Sequence, residues 1–216
     1  MDTLIFQLQG PLASWGETAV GGYRPSADYP SQSAILGLLA AALGIAREDE
    51  AGQRALRASY RMAVGVASAG RLLRDFHTVQ VPGRASLKKR PHATRRDELS
   101  LPKHDLSTIL STRDYRQEAH AVVALQALDG AAHTLEQLAA ALRRPIFLLY
   151  LGRKSCPLAA PLYPVMVDAA NVHAAMTAYL QQVAARWAEA SGARPPPVAT
   201  LKKIAWGDDF GADDAA

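Results

Sequence analysis

Cysteine is almost absent from this chain. One cysteine, Cys156, in 216 residues excludes an internal disulfide framework and fits a reducing cytoplasm, where we expect the protein to reside. The six histidines show no metal-ligand spacing, and there is no second cysteine to complete a site. No glycine-rich fingerprint follows a strand in the register that a nucleotide cofactor requires. The sequence therefore predicts neither a metal nor a cofactor.

Long hydrophobic runs are also lacking. The longest apolar stretch, Ala34 to Ile45, is short and interrupted by glycine, whereas a membrane-spanning helix needs about 20 apolar residues. The N-terminus lacks the succession of charged, apolar and small residues that marks a secretory signal. We therefore expect neither a membrane partner nor secretion. Because 49% of the residues are hydrophobic, the chain can bury a substantial core.

Positive charge is present but unevenly distributed. The whole chain carries a net charge of +4, yet residues 84–103 alone hold seven Lys or Arg against Asp97 and Glu98. The last ten residues hold four aspartates and no cation. Because a clustered basic segment is typical of proteins that bind polyanions, the sequence predicts a polyanionic partner.

Hydrophobic periodicity predicts the elements of the chain. Alternation over residues 3–8 indicates a strand that Gly10-Pro11 ends. Ser31 or Ser33 is positioned to cap the clearest helix, and Gly44 to close it. Thr134 begins a capping box for a later helix. The remaining predicted elements are a helix over 48–59, a strand over 62–66 with 72–79 as its partner, a strand over 119–128, the helix that ends near Arg143, a strand over 146–150 and a helix capped by Asn171.

The order of these elements indicates the α+β class. It predicts a ferredoxin-like antiparallel sheet of the split βαβ type, with helices on one face and a shorter, degraded second half. Residues 81–110 lack sustained periodicity and are rich in cations and proline, so we predict an insertion that projects from the sheet. Residues 1–190 are predicted as one domain, and residues 191–216 as a proline-containing, acidic, loosely ordered tail.

The strongest candidate site is the turn Gly152-Arg153-Lys154-Ser155, which follows the predicted strand over 146–150. Glycine permits a sharp turn and a close approach to a ligand. Exposed amides beside fixed positive charge suit a phosphate group. A solvated turn at the end of a strand is the structural alternative.

Aromatic and basic residues elsewhere suggest further contacts with nucleic acid. Trp15 lies in a loop with glycines, where an indole can stack on a base or cap the core. Arg24 precedes the first helix, whose N-terminus favours anions. His77 ends a predicted strand and is either a donor to RNA or a structural histidine.

Four of these segments together resemble the CasD family of CRISPR-associated proteins, which hold the crRNA 5′ handle in the type I-E surveillance complex Cascade. The resemblance lies in LQGPLASWG (8–16), in RPS (24–26) with PSQSAILGLL (30–39), in LRDFHTV (73–79) and in YLGRKSCPL (150–158). The four segments occur in the order of the family.

This resemblance implies an RRM-like, ferredoxin-like domain with a thumb-like hairpin at 81–110. It also implies a non-catalytic subunit that holds the crRNA 5′ handle, caps one end of the complex and contacts the neighbouring backbone subunit and the large subunit. Target DNA would be met only through the complex. The predicted RNA-binding residues are Trp15, Tyr23, Arg24, Ser33, Arg74, His77, Lys88, Lys89, Arg90, Arg95, Arg96, Gly152, Arg153, Lys154 and Ser155.

The alternative hypothesis is a metal-independent endoribonuclease that processes CRISPR repeat RNA. That chemistry needs a base for the 2′-hydroxyl, an acid for the leaving oxygen and a cation for the charged transition state. Lys103, His104, His77 and Tyr23 are the only residues of the sequence suited to these roles, and their spacing does not bring them together.

Overall fold

The computed structural model describes residues 2–83, 86, 93–192 and 198–206. One sheet, antiparallel except for a short parallel pairing, dominates this part of the chain, and five helices accompany it. The strands are β1 (Asp2–Ala13), β2 (Trp15–Gly16), β3 (Tyr23–Arg24), β4 (Ser26–Ala27), β5 (Tyr60–Ser68), β6 (Arg71–Pro82), β7 (Leu106–Ala127), β8 (Val165–Asp168) and β9 (Lys203–Trp206). The helices are α1 (Gln32–Leu43), α2 (Glu50–Ala58), α3 (Arg95–Leu99), α4 (Leu135–Arg143) and α5 (Val172–Ser191).

The 22-residue strand β7 organises the sheet. The strand order is β8-β1-β7-β5-β9, and β6 pairs with the first half of β7 while β5 pairs with its second half. The break between β5 and β6 falls at Gly70, where φ is +70° and a Cβ would lie 2.3 Å from the Gln117 carbonyl oxygen. The prediction that residues 72–79 pair with 62–66 is therefore wrong, because both segments pair with the same long strand.

The core lies on both faces of the sheet. Leu4 and Phe6 of β1 pack with α1 and α4 on one face, whereas Ile5 packs with Val122 and α5 on the other. All three of these β1 side chains are fully buried. The predicted placement of the helices on one face is thus wrong, because β1 and β7 carry apolar residues at both odd and even positions and so need cover on both sides.

The predicted helix boundaries are confirmed where a capping residue fixes them. Ser31, rather than Ser33, is the N-cap of α1 and accepts a hydrogen bond from the Ala34 amide, and Gly44 ends the helix at φ +77°. Thr134 begins α4 with the predicted capping box. Asn171 caps α5. These signals are local, so the sequence is sufficient to reveal them.

Two strand predictions need correction, and part of the predicted tail also forms a strand. Strand β1 does not end at Gly10-Pro11 but continues to Ala13. Residues 146–150 form no strand, because the backbone amides of Ile146 and Phe147 bond to the last carbonyls of α1 instead. Residues 203–206, which fall in the predicted tail, extend the sheet as β9 beside β5.

The insertion predicted at 81–110 is shorter in the described structure. Residues 81–82 belong to β6, and residues 106–110 belong to β7. Between them the described residues form α3 and one 3₁₀ turn, Lys103–Asp105. Within the described residues, no helix is both long and apolar enough to cross a membrane.

Candidate nucleic-acid interface

A long antiparallel ribbon carries most of the predicted site residues. It consists of β6 and the first half of β7, paired from Arg71↔Gln117 to Pro82↔Leu106. The last pairing of β1 with β7 is Ala13↔Arg116, so residues 106–115 of β7 extend beyond β1. Ten strand residues span roughly 30 Å. We call this ribbon, with β3 paired to β7 at 112–113, the arm.

The pairing register divides the arm into two faces. Side chains of paired residues lie on the same side, and neighbouring positions lie on opposite sides. Tyr23 is aligned with Thr112, and Arg74 with Asp114, so these side chains share one face. Arg24 is aligned with Arg113, which places both on the opposite face. We call the opposite face the basic face; His77 also lies on it, opposite Ser111.

Tyr23, Arg74 and Asp114 form a closed hydrogen-bonded cluster on their face. The Tyr23 hydroxyl donates to Asp114 Oδ2 at 2.6 Å. Arg74 donates from Nε to Asp114 Oδ1 at 2.9 Å and from Nη2 to the Tyr23 hydroxyl at 3.0 Å. The Asp114 side chain is 4% exposed, whereas that of Arg74 is 56% exposed. One edge of the Arg74 guanidinium is therefore held inward while the rest faces solvent.

This cluster fixes the protonation of its members. The hydrogen bond from Arg74 lowers the pKa of Asp114, and the bond to Asp114 raises the pKa of Tyr23. At neutral pH the carboxylate is thus ionised and the phenol protonated. Asp114 is the buried counter-ion of Arg74, and a separation of 40 positions along the chain hides that pairing in the sequence.

The basic face carries two arginines that form no ion pair with a described residue, although Asp75 is aligned with Arg113 on the same face. Arg24 donates from Nη1 to the carbonyl oxygens of Gly21 and Tyr23, at 2.5 and 3.1 Å. Neither Arg24 nor Arg113 has a carboxylate within salt-bridge distance among the described residues. His77 lies 3.5 Å from Asp75. Two adjacent guanidinium groups therefore leave positive charge available to a ligand.

The turn at 150–157 is docked against the end of β1. A single bridge joins Tyr150 to Pro157, and the Ser14 amide donates to the Leu151 carbonyl oxygen at 3.0 Å. Gly152 has φ +84°, and a Cβ there would lie 1.9 Å from the Ser14 carbonyl oxygen. Glycine is therefore required at this position because the backbone of the turn lies against the Ser14 carbonyl group, whether or not a ligand also approaches it.

This docking directs Arg153 to the arm. Its guanidinium carbon lies 4.7 Å from the centre of the Tyr115 ring. Tyr115 follows Arg113 by two positions in β7, so both belong to the basic face. Arg153 Nη1 is buried and has no hydrogen-bond partner within the described part of the chain. Arg24, Arg113 and Arg153 thus form one row along the arm, and its last member is stacked on an aromatic ring.

Trp15 does not lie at this surface. It is 4% exposed and packs in the core on the α1 side of the sheet. The structural alternative for this residue, a cap over the first strand, is what the structure shows. The indole is too buried to stack on a base.

The other predicted contacts are dispersed. Lys154 and Ser33 line a groove along α1, and the Ser155 hydroxyl lies 4.0 Å from the Cys156 sulfur. Arg95 pairs with Glu98 at 2.7 Å and donates to the Gln80 carbonyl oxygen, whereas Arg96 is exposed on α3. Three predicted contacts, Lys88, Lys89 and Arg90, lie outside the described residues.

The structure does not assemble the residues of the endoribonuclease alternative. Tyr23 and His77 lie on opposite faces of the arm. Lys103 and His104 lie in the 3₁₀ turn before β7, about 20 Å along the strand from the position aligned with Tyr23. The Tyr23 hydroxyl is already bonded to Asp114 and Arg74. The hypothesis is therefore not favoured.

A row of cations beside a tyrosine ring suits a nucleic-acid strand, and similarity to known proteins points the same way. The family model described as CRISPR-associated protein (Cas_Cas5) matches residues 3–209. The chain is 34% identical over 186 residues to the CRISPR system Cascade subunit CasD of Escherichia coli (strain K12), covering 82% of this chain and 76% of that relative. The chain therefore belongs to the Cas5 family of CRISPR-associated proteins, which confirms the resemblance in the sequence.

Solved structures show the same relationship. A chain of a CRISPR RNA-guided surveillance complex superposes with a TM-score of 0.55 at 32% identity, over 74% of this chain and 61% of that one. A crystal structure of a Cas protein superposes with a TM-score of 0.53 at 30% identity, over 81% of this chain and 69% of that one. The chain thus spans about three fifths of the first of these solved chains.

Proposed function

We propose that this protein is a non-catalytic, crRNA-binding subunit of a CRISPR surveillance complex of the Cascade type, that it acts in the cytoplasm, and that it holds the crRNA 5′ handle at one end of the complex. The observation that carries this proposal is the 34% identity to Cascade subunit CasD over 82% of the chain. The basic face supports it, because unpaired cations beside an aromatic ring suit single-stranded RNA.

The topology supports a ferredoxin-like domain. Strands β1, β5, β7 and β8 alternate with α1, α2 and α4 along the chain in the order β, α, α, β, β, α, β. In the sheet these four strands lie in the order β8-β1-β7-β5, the arrangement expected of a split βαβ unit. Helix α5 adds cover to the opposite face. We propose further that the arm and the residues at its tip form the thumb-like hairpin.

The basic face is the proposed RNA-binding surface. Arg24 and Arg113 would hold phosphates, and the stacked pair of Arg153 and Tyr115 would support a splayed base. Arg74 would add a guanidinium edge from the opposite face. For two phosphate contacts on a single strand, the logarithm of affinity should fall with the logarithm of salt concentration with a slope of about −1.4. Binding would therefore be salt-sensitive.

The arm also has apolar side chains that a neighbouring subunit can cover. Phe76 is 67% exposed, Ile109 54% and Leu110 52%. Phe76 and Leu110 share the face of Tyr23, and Ile109 lies on the basic face; exposed apolar groups on a ribbon that extends beyond the sheet are typical of a protein–protein contact. We propose that the arm packs against the adjacent backbone subunit, that the large subunit lies nearby, and that target DNA is met only through the assembled complex.

The test is reconstitution of the complex with crRNA and a triple variant, Arg24→Ala, Arg113→Ala and Arg153→Ala. Each lost charge-assisted contact costs about 1.5–3 kcal/mol, so handle affinity should fall by at least about a hundredfold. Arg186→Ala, an exposed cation on α5, is the matched control and should bind as the unmodified protein does. Unchanged affinity of the triple variant would exclude the basic face.

The same preparation distinguishes binding from catalysis. Repeat RNA incubated with the purified protein and EDTA should remain intact. Specific cleavage that disappears in His77→Ala or His104→Ala would contradict the proposal and establish the endoribonuclease instead.

A further inference from the structure

We propose that a groove along α1 docks an acidic, apolar segment of another protein subunit of the complex. The inference rests on the proposed function, because it requires the protein to work within a multi-subunit assembly. The groove has a volume of about 790 Å³ and runs between α2 and residues 147–154, over a floor of small α1 residues. We call it the α1 groove; the side chains that define it are Arg47, Arg57, Phe147, Leu148, Tyr150 and Lys154.

The apolar wall of the α1 groove is exposed and fixed in place. Phe147 and Leu148 line the groove and are 47% and 83% exposed, and the adjacent Ile146, which lies outside it, is 68% exposed. Their backbone cannot move freely, since the amides of Ile146 and Phe147 donate to the Ala42 and Ala41 carbonyl oxygens at 3.1 and 3.0 Å. Three consecutive apolar side chains held toward solvent on a rigid segment are typical of an interaction site.

The apolar surface continues beyond the α1 groove. Leu148 also lines a second cavity of about 690 Å³, in which Pro145, Leu149 and Leu158 lie on the other side of it. Leu148 therefore forms a ridge between two depressions. A partner segment that buries this ridge gains apolar area on both sides, as the core of a protein interface does.

The charges of the α1 groove determine the kind of partner. Arg47, Arg57 and Lys154 line it, and no carboxylate of the described residues does. None of the three forms an ion pair with a described residue. Of the acids that follow Arg47, Asp49 caps α2 and Glu50 pairs with Arg54 at 3.3 Å, whereas Glu48 is exposed but does not line the groove. The uncompensated positive charge favours an acidic partner.

Protein fits the α1 groove better than RNA. A nucleic-acid strand presents phosphates, sugars and flat bases, and these leave aliphatic side chains such as Ile146 and Leu148 without a complementary surface. An acidic polypeptide with apolar residues pairs with the cations and also covers the aliphatic ridge. The basic face of the arm adjoins the groove where Arg153 precedes Lys154, and it offers RNA cations and a stacked ring without this groove.

Position 37 offers a clean way to block the α1 groove. Gly37 lies in α1 on the groove floor, and a Cβ there would meet no atom within 4 Å. Gly37→Phe therefore fills the groove without disturbing the core, and Gly37→Ala is its matched control. Arg47→Glu with Arg57→Glu reverses the charge at two groove residues that belong to no predicted RNA contact. Arg54→Glu controls for that change, because Arg54 lies on the same helix but outside the groove.

The experiment is native mass spectrometry of the complex assembled from full chains and crRNA. With Gly37→Phe, or with the double charge reversal, complexes that lack one protein subunit should increase at least tenfold while this chain keeps its crRNA. Gly37→Ala and Arg54→Glu should behave as the unmodified protein. A photoreactive residue at position 148 should crosslink to an acidic peptide of that subunit.

Other results would overturn the inference. If the blocked variants keep every subunit, the groove docks none of them. If crRNA is lost instead, or if position 148 crosslinks to RNA, the groove binds RNA rather than a protein subunit. If the unmodified chain enters no complex with crRNA, the proposed function fails and the inference fails with it.

Discussion

Gly152→Ala tests whether the candidate RNA-binding turn is built by docking against β1. At φ +84° a side chain costs about 1–2 kcal/mol in backbone strain. The added Cβ would lie 1.9 Å from the Ser14 carbonyl oxygen, so the turn must move and strain the 3.0 Å hydrogen bond from the Ser14 amide to Leu151. Losing that bond adds about 0.5–1.5 kcal/mol.

The expected total is therefore about 2–3 kcal/mol of unfolding free energy. For a chain of this size each kcal/mol lowers Tm by about 2–4 °C, so the melting temperature measured by circular dichroism should fall by about 5–10 °C. Gly130→Ala is the control, because Gly130 has φ +76° but no atom within 4 Å of an added Cβ. Gly130→Ala should therefore lose only the part of the unfolding free energy that the backbone strain costs, about 1–2 kcal/mol. Equal losses for the two variants would refute the close approach of the turn to Ser14.

Three further predictions concern Arg153, Asp114 and Gly37. Arg153→Lys keeps the charge but loses the planar stacking on Tyr115, so crRNA affinity in a filter-binding assay should drop severalfold; unmodified affinity would show that stacking is irrelevant. The lowered pKa of Asp114 means that its ionisation stabilises the fold above about pH 4, and that this stabilisation disappears as pH falls further. Asp114→Asn should therefore flatten the acid limb of a stability–pH curve, and an unchanged limb would exclude the cluster as its source. Gly37→Ala should raise unfolding free energy by about 0.5–1 kcal/mol in urea titration, because alanine favours a helix and meets open space; destabilisation would contradict the exposed position.

Helix starts and ends were predictable because their determinants lie within a few residues. The Ser31 cap, the Thr134 box and the Asn171 cap each satisfy amides of the adjacent turn. Strand predictions failed where the partner was distant. Residues 146–150 have a strand-like composition, but the carbonyls of the α1 C-terminus take their hydrogen bonds instead.

The two-sided core could have been predicted from a signal within the strands. Leu4, Ile5 and Phe6 are apolar at consecutive positions, and a strand with one solvated face should alternate. The continuous apolar run already requires helices on both faces. Helix α5 provides the second cover.

In the candidate site, too, the local features were predictable from the sequence and the distant partners were not. Glycine, arginine and proline in sequence indicated a basic turn at 152–157, and the structure has that turn. Arg153 stacks on Tyr115, and Arg74 donates a hydrogen bond to Asp114. Both partners come from β7, tens of residues away, so only the register of the sheet reveals them.

The most direct test of the central proposal is ultraviolet crosslinking of crRNA in the assembled complex, with crosslinked peptides identified by mass spectrometry. The proposal predicts crosslinks from 5′-handle nucleotides to the peptides that contain Arg24, Arg113 and Arg153, with the RNA intact. Handle nucleotides that crosslink only to other subunits would contradict it.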